Sequence, residues 1–390
     1  MSITITNRRE ENNELLFTLA GVDVSVANAI RRTILADIPV VAIKTFGEHA
    51  DATFTVNTTR LNNEILGQRL SCIPIHIMAD DEEYNIKDLM LEIDEENETD
   101  TMRTITTADF KIRTISTGEL LSREKCMDIF KPFISPTGDS YFISFARLRP
   151  RISAEIPGEK LAVTCKFSVG SAAENSMLNV VGTCAYGATV DNDSADQALE
   201  AQKQKWRTEG LAPELVERNA VNWELLDKKR ITVANSFDFI IGTVGPIPNG
   251  EIIATSCKIL VVKFKTLVKL IGDGLLISAI TSENSIEYTL ENEDYTVGNV
   301  IASIMFHTYI GRKENNATLA FCGFKKMHPH DTNSIIRIIF DSRDEPDDDT
   351  SKSDEEPRSS ILRTLGLNYI RKCCNDAIEI FDSIGRTFIG

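Results

Sequence analysis

The stretch that decides the fold is Phe17-Thr-Leu-Ala-Gly-Val-Asp23-Val-Ser25-Val-Ala-Asn28-Ala-Ile30, because it occurs twice in the chain. It aligns without a gap with Tyr288-Thr-Leu-Glu-Asn-Glu-Asp294-Tyr-Thr296-Val-Gly-Asn299-Val-Ile301, 271 residues later. Six of the aligned positions are identical, and three more hold close substitutes. Two homologous units that cannot bury their apolar faces alone usually bury them on each other. The repeat therefore predicts an internal pseudo-dimer in one polypeptide.

Both copies predict the same local structure around the repeated stretch. In the first copy, residues 14–20 read as a strand, Ser25 as the N-cap of a helix, and Pro39 as the residue that stops it. In the second copy, residues 286–290 read as a strand and Thr296 as the N-cap. Strand, then helix, is therefore expected twice.

Each copy is also expected to close with a strand and a long helix. Residues 236–245 predict a strand, followed by a helix from Pro248 to about Ile271. In the second copy the strand is 334–340, and the closing helix begins near Ser359 or Ser360. This order predicts an α+β fold with helices on one face of each sheet. The predicted apolar stripe of the last helix is Ile361, Leu365, Tyr369, Cys373, Ala377 and Phe381, widened by Ile370, Ile380 and Ile384.

Different material separates the parts of the repeat. A segment at 46–165, rich in strand-type runs, predicts an inserted β-rich domain. The first repeated unit is then discontinuous, at 1–45 and 166–272, and the second spans 275–390. A polar excursion at 191–230 predicts further helices.

Charge and composition limit the functions that the chain can have. The net charge is −16, which argues against nucleic-acid binding through the whole surface, since phosphates are bound by Lys and Arg. Residues 341–357 hold nine acidic and two basic residues and predict a solvated, disordered loop. The alternative for this loop is that it mimics nucleic acid or holds a basic partner.

The cysteines and the termini predict an intracellular protein. The eight cysteines are scattered without a C-x-x-C spacing, which favours free, buried thiols in a reducing compartment. The N-terminus lacks the apolar core of a signal peptide, and no apolar run approaches the ~20 residues of a membrane span. We therefore expect a soluble protein without a membrane segment.

The sequence offers no pattern for catalysis or metal binding. Its five histidines form no H-E-x-x-H, and neither G-x-S-x-G nor a P-loop occurs. His328-Pro-His330 has the spacing of a ligand pair but is better explained as a structural loop. We expect no catalytic residues, no cofactor and no metal.

Two strings in the first copy match a known family. The first string is Asn28-Ala-Ile-Arg31-Arg32, with Pro39 after it, and it resembles the pattern NALRR…P. The second string is Leu61-Asn-Asn63-Glu64-Ile-Leu-Gly-Gln-Arg69-Leu70-Ser-Cys-Ile73-Pro74-Ile, and it resembles DEFIAHRLGLIPL. These patterns mark the alpha-type subunits of multisubunit DNA-directed RNA polymerases, namely the bacterial alpha subunit, archaeal D and the third subunit of polymerase II.

The second copy resembles the smaller partner subunit, archaeal L or the eleventh subunit of polymerase II. Glu293–Asn299 is similar to EDHTLGN, and Phe321–Pro329 is similar to AGYKVPHP. With Lys166–Gly187 and Val244–Pro248, six strings follow the family order over nearly the whole chain, which is stronger than one short motif. A single polypeptide that holds both subunits is similar to the fused subunits of large DNA viruses.

The resemblance implies a non-catalytic assembly platform. Its partners would be the two largest subunits, beta-like and beta-prime-like, and small zinc-bearing subunits, with little direct contact to nucleic acid. The location would be the host cytoplasm and the virion if the protein is viral, and the nucleus otherwise. The four-cysteine zinc site of the polymerase II relative, and the iron–sulfur ligands of some archaeal relatives, have no counterpart, since Cys72, Cys126 and Cys165 are far apart.

The resemblance and the repeat together predict two sets of site residues. Across the pseudo-twofold axis we expect apolar contacts, although ordinary core packing within each copy explains the same pattern equally well. Docking of the beta-like subunit is expected at an arginine pair that the second copy replaces with Ala302 and Ser303, and at the second string. A solvated helix face, and a local ion pair between Glu64 and Arg69, are the alternatives. The interface set is Val26, Ile30, Ile34, Val297, Ile301 and Met305, and the docking set is Arg31, Arg32, Glu64, Arg69 and Pro74.

Two other classes of function stay open from the sequence. One is a free-standing acidic interaction scaffold that binds basic partners, and the other is an enzyme at the interface of the copies, which no residue constellation supports. Co-purification with two large chains distinguishes the platform from the scaffold.

Overall fold

The computed structural model describes residues 3–45, 50–81, 83–153, 155–282, 284–310, 319–341 and 358–388. Helices and several small sheets alternate along the chain, and the strand pairings with a described register are antiparallel, which confirms the predicted α+β class. The strands are β1 (Thr4–Glu11), β2 (Glu14–Ala20), β3 (Val40–Ala42), β4 (Ala52–Asn57), β5 (Leu89–Glu96), β6 (Arg103–Thr106), β7 (Lys111–Thr114), β8 (Phe133–Ile134), β9 (Ser140–Tyr141), β10 (Ser144–Leu148), β11 (Lys160–Lys166), β12 (Ser168–Gly170), β13 (Val181–Val190), β14 (Thr232–Thr243), β15 (Ser278–Ser282), β16 (Ser285–Leu290), β17 (Leu319–Lys325) and β18 (Ser334–Phe340).

The helices include the two that begin in the repeated stretches and the two long ones predicted to close the copies. The excursion at 191–230 is helical, as predicted. A π-helical turn, Phe306–Ile310, continues the helix of the second copy. The helices are α1 (Val24–Ala36), α2 (Asn63–Ser71), α3 (Arg123–Ile129), α4 (Asn192–Thr208), α5 (Pro213–Leu226), α6 (Asn249–Gly272), α7 (Tyr295–Met305) and α8 (Arg358–Arg386), with short 3₁₀ helices at Ile86–Asp88, Thr107–Asp109, Ser176–Leu178 and Lys228–Arg230.

The chain groups into two compact units. The first unit comprises Met1–Ile34, Thr183–Gly242 and Asn249–Gly390, and the second unit comprises Leu35–Gly182 and Thr243–Pro248. The boundaries thus fall within α1 and β13 rather than at residues 46 and 165. The division into two dimerisation units and an inserted domain stays a prediction.

The first unit contains two four-stranded sheets with the same strand order. One has the order β1-β2-β14-β13 and the other β15-β16-β18-β17. Numbered within its own copy, each sheet reads 1-2-4-3. A short helix follows the second strand (α1 or α7), and a long helix follows the fourth strand (α6 or α8). The sequence repeat is therefore matched by a repeat of topology.

The two short helices begin at equivalent residues, although not at the predicted ones. Asp294 is the N-cap of α7, and its Oδ1 accepts the backbone N–H of Thr296 at 2.8 Å. Asp23 Oδ1 accepts the N–H of Ser25 at the same distance, at the start of α1. The prediction of Ser25 and Thr296 as N-caps was wrong, because a carboxylate two residues earlier already takes the free amide.

The long helices α6 and α8 pack antiparallel to each other. Phe264 stacks on Phe381 with ring centroids 5.8 Å apart, and both rings are buried. One turn further, Gly385 lies so close to α6 that a Cβ on it would be 3.1 Å from the Cys257 Cβ. From Ile370 onward the predicted stripe of α8 is buried except for the half-buried Ile380, whereas Ile361 is 53% exposed and does not belong to it.

The end of α8 reaches the sheet of the first copy. Phe388 packs edge-on against Phe17 of β2, with ring centroids 5.0 Å apart, and Phe17 in turn stacks on Phe239 of β14 at 5.0 Å. The guanidinium of Arg8 lies over the Phe388 ring, 5.1 Å from its centroid. Residues more than 370 positions apart in the sequence therefore form one aromatic cluster.

The second unit is built on a four-stranded sheet of order β4-β11-β5-β7, with the ribbons β10-β6, β12-β3 and β8-β9. In its core, Phe110 packs edge-on against Phe130 and Phe145, at 5.2 and 5.7 Å between ring centroids. Leu66 and Leu70 join this core from α2. The buried face of α2 therefore fixes the exposed residues of that helix in place.

The cysteines were predicted to be free and buried thiols. All eight cysteines are free thiols, and five of them are buried as predicted, but Cys184 and Cys322 are half-buried and Cys72 is exposed. Burial raises the pKa of Cys165 and Cys257 to about 12, which keeps both thiols protonated and unreactive.

Within the described segments, none of the helices combines the length and the apolar character that a bilayer span requires. The predicted acidic loop lies outside the described residues except for Asp341.

Candidate functional site

The helices α1 and α7 contact each other reciprocally. The hydroxyl of Ser303 on α7 donates to Asp23 Oδ1 at the start of α1, at 2.7 Å. The guanidinium of Arg32 on α1 donates to the Asp294 carboxylate at the start of α7, and its Nε donates to Thr296 Oγ1 at 2.9 Å. Arg32 and Ser303 occupy equivalent positions of the repeat, as do Asp23 and Asp294. Such reciprocity is characteristic of an isologous contact around a twofold axis.

The electrostatics of the contact hold both aspartates in their charged form. Burial acts to raise the pKa of Asp23, but hydrogen bonds from Ser25 and Ser303 and the nearby His307 hold this pKa below its ordinary value. Burial likewise opposes ionisation of Asp294, and hydrogen bonds from Thr296 with the charge of Arg32 keep its pKa low. Each aspartate therefore caps its own helix and bonds to the other one.

These two carboxylates predict a loss of stability in acid. Their folded pKa values lie below the ordinary value of 3.8, so their stabilising effect is present above that pH and is lost as the pH falls through the folded values. We expect the fall in unfolding free energy below about pH 4 to become shallower in the Asp23→Asn and Asp294→Asn variants. Urea unfolding monitored by circular dichroism across pH 2–6 (roughly the range of these titrations) measures the slope.

The matched control for the acid experiment is Asp376→Asn on α8. Burial raises the pKa of Asp376, so removal of this carboxyl should not reduce the loss of stability in acid. An acid slope that Asp23→Asn and Asp294→Asn leave unchanged would contradict the role of both carboxylates.

The six residues predicted for the interface are all buried. Their side chains are 0–2% exposed, on α1 and α7. Burial of this kind is shared by residues of an interface and by residues of an ordinary core, so the interface assignment stays a prediction. The six are Val26, Ile30, Ile34, Val297, Ile301 and Met305.

The two arginines predicted for docking have different partners. Arg31 donates from Nε to Asn28 Oδ1 on its own helix, at 3.0 Å. Arg32 is engaged by the start of α7, as described above, with its side chain 35% exposed. The guanidinium of Arg31 thus bonds within its own helix and that of Arg32 bonds to the second copy, and a docking role stays a prediction for both residues.

The docking residues of the second unit lie on or next to α2. Glu64 is exposed in the first turn of this helix, and Pro74 is half-buried after its end. Arg69 donates to the backbone carbonyls of Ser144 and Phe145, at 2.6 and 2.8 Å. Its guanidinium is therefore used by the backbone of β10 rather than by Glu64, so the alternative of a local ion pair is not supported.

The described part of the chain holds no cluster of three or more His, Cys, Asp or Glu residues that could bind a metal ion. The backbone N–H of His330 donates to Nδ1 of His328 at 3.2 Å, which is a contact within a loop. His49 lies outside the described residues.

The chain that makes this helix contact also matches a known family. A family model described as the RNA polymerase Rpb3/Rpb11 dimerisation domain matches residues 16–264, which is more than half of the chain. The chain belongs to the Rpb3/Rpb11 dimerisation family. The match includes α1 and the part of α6 up to Phe264, and from these two helices the first copy contacts α7 and α8.

Three relatives of this Rpb3/Rpb11-type chain are subunits of DNA-directed RNA polymerases. The rpac1 subunit of polymerases I and III from Dictyostelium discoideum is 37% identical over 20% of this chain and 20% of its own length. The Rpo3 subunit from Pyrococcus furiosus is 35% identical over 20% of this chain and 28% of its own. The RPB3 subunit of polymerase II from Schizosaccharomyces pombe is 38% identical over 18% and 22%. The chain thus matches between a fifth and somewhat over a quarter of each relative's length.

Sequence reasoning missed the bonds that cross between the copies of this Rpb3/Rpb11-type chain. It gave Asp23 and Asp294 no partner in the other copy, and it treated Ser303 only as the loss of a docking arginine. A signal was present, since each copy has the shared aspartate and, nine residues later, a side chain that can donate a hydrogen bond. The donor can bond to the aspartate of its own copy or to that of the other copy. The choice depends on how α1 and α7 pack, which the sequence alone does not give.

Proposed function

We propose that this chain is a non-catalytic assembly subunit of a DNA-directed RNA polymerase, an internal alpha-like pseudo-dimer that docks the two large catalytic subunits. The observation that carries the proposal is the reciprocal contact of Arg32 with Asp294 and of Ser303 with Asp23, in a chain of the Rpb3/Rpb11 family. The relatives, each of which is a polymerase subunit, support the same role.

The pseudo-dimer is supported by topology as well as by the contact. Both sheets have the order 1-2-4-3, and their long helices, α6 and α8, pack antiparallel through Phe264 and Phe381. In this proposal the first dimerisation unit is 1–45 with 166–272, the second is 275–390, and 46–165 is an inserted β-rich domain. The apolar residues of α1 and α7 would pack across the pseudo-twofold axis. One polypeptide then contains both subunits of the dimer, as in the fused subunits of large DNA viruses.

Docking of two different large subunits requires the pseudo-dimer to be asymmetric. Arg31 is half-buried on α1, whereas the equivalent residue of α7 is Ala302. We propose that Arg31, with Arg32 beside it, contributes to docking of the beta-like subunit, and that Glu64, Arg69 and Pro74 contribute from the second unit. Small zinc-bearing subunits would be further partners, and the chemistry of polymerisation would belong to the large subunits.

Co-purification from the native source tests the proposed function. We expect the tagged chain to recover two partner chains above roughly 100 kDa each, the size class of large catalytic subunits, since an interface that nucleates assembly survives isolation. Recovery of the chain alone would contradict the proposal. Recovery with small basic proteins only would favour the acidic scaffold, which the net charge of −16 permits.

A single substitution tests the docking role. Arg31→Ala removes only a bond within α1 and should change the stability by less than about 0.5 kcal/mol. We expect recovery of the co-expressed beta-like subunit to fall about fivefold, equivalent to about 1 kcal/mol of binding energy. Arg218→Ala, an exposed arginine on α5, is the matched control. Equal recovery with both variants would refute the role of Arg31. Arg32→Ala is less informative, because it also breaks the contact with Asp294.

A further inference from the structure

The second unit contains a positively charged cleft that the helix contact does not involve. Its volume is about 500 Å³. Four arginines line it, namely Arg60 after β4, Arg69 on α2, Arg147 on β10 and Arg149 directly after β10. The one carboxylate among the lining residues is Glu159. In a chain with a net charge of −16, this local excess of positive charge indicates an anionic ligand.

Two of the four guanidiniums are already in use within the protein. Glu159 accepts hydrogen bonds from the backbone N–H and the Nε of Arg149, so these two charges neutralise each other. Arg69 donates to the carbonyls of β10, which orients it but leaves its charge uncompensated. Arg60 and Arg147 are exposed, and neither has a hydrogen-bond or ion-pair partner among the described residues. The cleft thus presents two unpaired guanidinium groups, those of Arg60 and Arg147, beside the fixed positive charge of Arg69.

Apart from Ser144, the remaining lining residues are apolar, and their chemistry favours one class of ligand over another. Leu61 and Met102 contribute aliphatic surface, and Met102 is strongly exposed. Proteins that bind single-stranded nucleic acid stack its bases on exposed aromatic rings. The aromatic residue of this cleft, Phe145, is only 1% exposed and belongs to the core of the unit. A peptide with carboxylates and aliphatic side chains fits better, because guanidinium forks bind carboxylates bidentately and aliphatic side chains pack on Leu61 and Met102.

We propose that this cleft binds an extended acidic segment of a partner protein, in which carboxylate side chains alternate with aliphatic ones. The carboxylates pair with Arg60 and Arg147, and the aliphatic side chains cover Leu61 and Met102. Assignment of the segment to a neighbouring polymerase subunit rests on the proposed function. The binding chemistry does not, since it requires only the cleft.

The test is a titration of the full chain against a short, fluorescently labelled peptide of alternating Glu and Leu, followed by fluorescence anisotropy. We expect saturable binding that weakens as the salt concentration rises. The double variant Arg60→Gln/Arg147→Gln should raise the Kd about tenfold. The matched control, Arg123→Gln/Arg218→Gln, makes the same change of net charge at exposed positions outside the cleft and should leave the Kd within about twofold.

Two further probes make the experiment decisive for the unaltered protein. A peptide of alternating Gln and Leu should bind at least about tenfold more weakly, because it lacks the carboxylates. A labelled oligothymidylate should neither bind comparably nor compete. Equal binding of the Gln peptide, equal effects of the two double variants, or tighter binding of the oligonucleotide would each overturn the proposal. Peptide binding without co-purified large subunits would retain the cleft and reject the polymerase role, and the reverse result would do the opposite.

Discussion

Phe264→Ala is expected to cost about 3–5 kcal/mol of stability, because it opens a cavity in the seam between α6 and α8. Phe264 and Phe381 stack at 5.8 Å, and both are fully buried. In the proposed pseudo-dimer these residues belong to different copies, so the loss would fall on the junction between them. Urea unfolding monitored by far-UV circular dichroism measures the change, with Val262→Ala on the same helix as the control, since Val262 is 60% exposed.

The same experiment extends to a double-mutant cycle. Phe264→Ala and Phe381→Ala should be non-additive by about 0.5–1.5 kcal/mol, the energy of a stacked aromatic pair beyond its buried area. A cost of Phe264→Ala no larger than that of Val262→Ala would mean that the two long helices do not depend on this contact. Strict additivity of the two phenylalanines would mean that the rings do not interact.

Asp294→Ala is expected to cost about 1–3 kcal/mol, because it removes an N-cap and leaves Arg32 without its carboxylate. Asp23→Ala removes the equivalent acceptor and should cost less, since its partner across the contact is the neutral hydroxyl of Ser303. Thermal and urea unfolding of the two variants measure the difference. A larger cost for Asp23→Ala would contradict the described pairing.

The repeat supplies its own control for the partner assignment. A cycle of Arg32→Ala with Asp294→Ala should give a coupling energy, whereas a cycle of Arg32→Ala with Asp23→Ala should give one close to zero. Ser303→Ala should behave in the opposite way and couple to Asp23 alone. Equal coupling of Arg32 to both aspartates would show that the contact is not specific.

The sequence predicted the elements of the first unit well because their signals are local. Each of these elements is encoded by the spacing of apolar residues within a single segment of sequence. Examples are the four-residue steps of α8, the strand at 334–340 and the helix that follows Pro248. Ile361 failed because helical periodicity continues past the point where the neighbouring elements stop covering the helix. The N-caps failed because Asp and Ser are both good caps, and the choice between them depends on where the first turn begins.

The candidate sites were less predictable than the fold. The apolar residues of α1 and α7 could be chosen from periodicity, but the partner of Arg32 lies 262 residues away and depends on how two helices cross. The arginine cleft was not predicted at all, since its lining comes from five separate segments between Arg60 and Glu159. Of these residues, the second family string included only Leu61 and Arg69.

The aromatic cluster of Phe17, Phe239 and Phe388 has a consequence for the order of events during synthesis. A ribosome adds residues from the N-terminal end, at about 5–20 per second, so β2 exists for many seconds before the last turns of α8 are made. The face of Phe17 that Phe388 covers stays open throughout that interval. Contacts between such distant residues also close slowly. The strands of the first sheet can therefore pair early, but the face at Phe17 is covered only after the second copy has been translated.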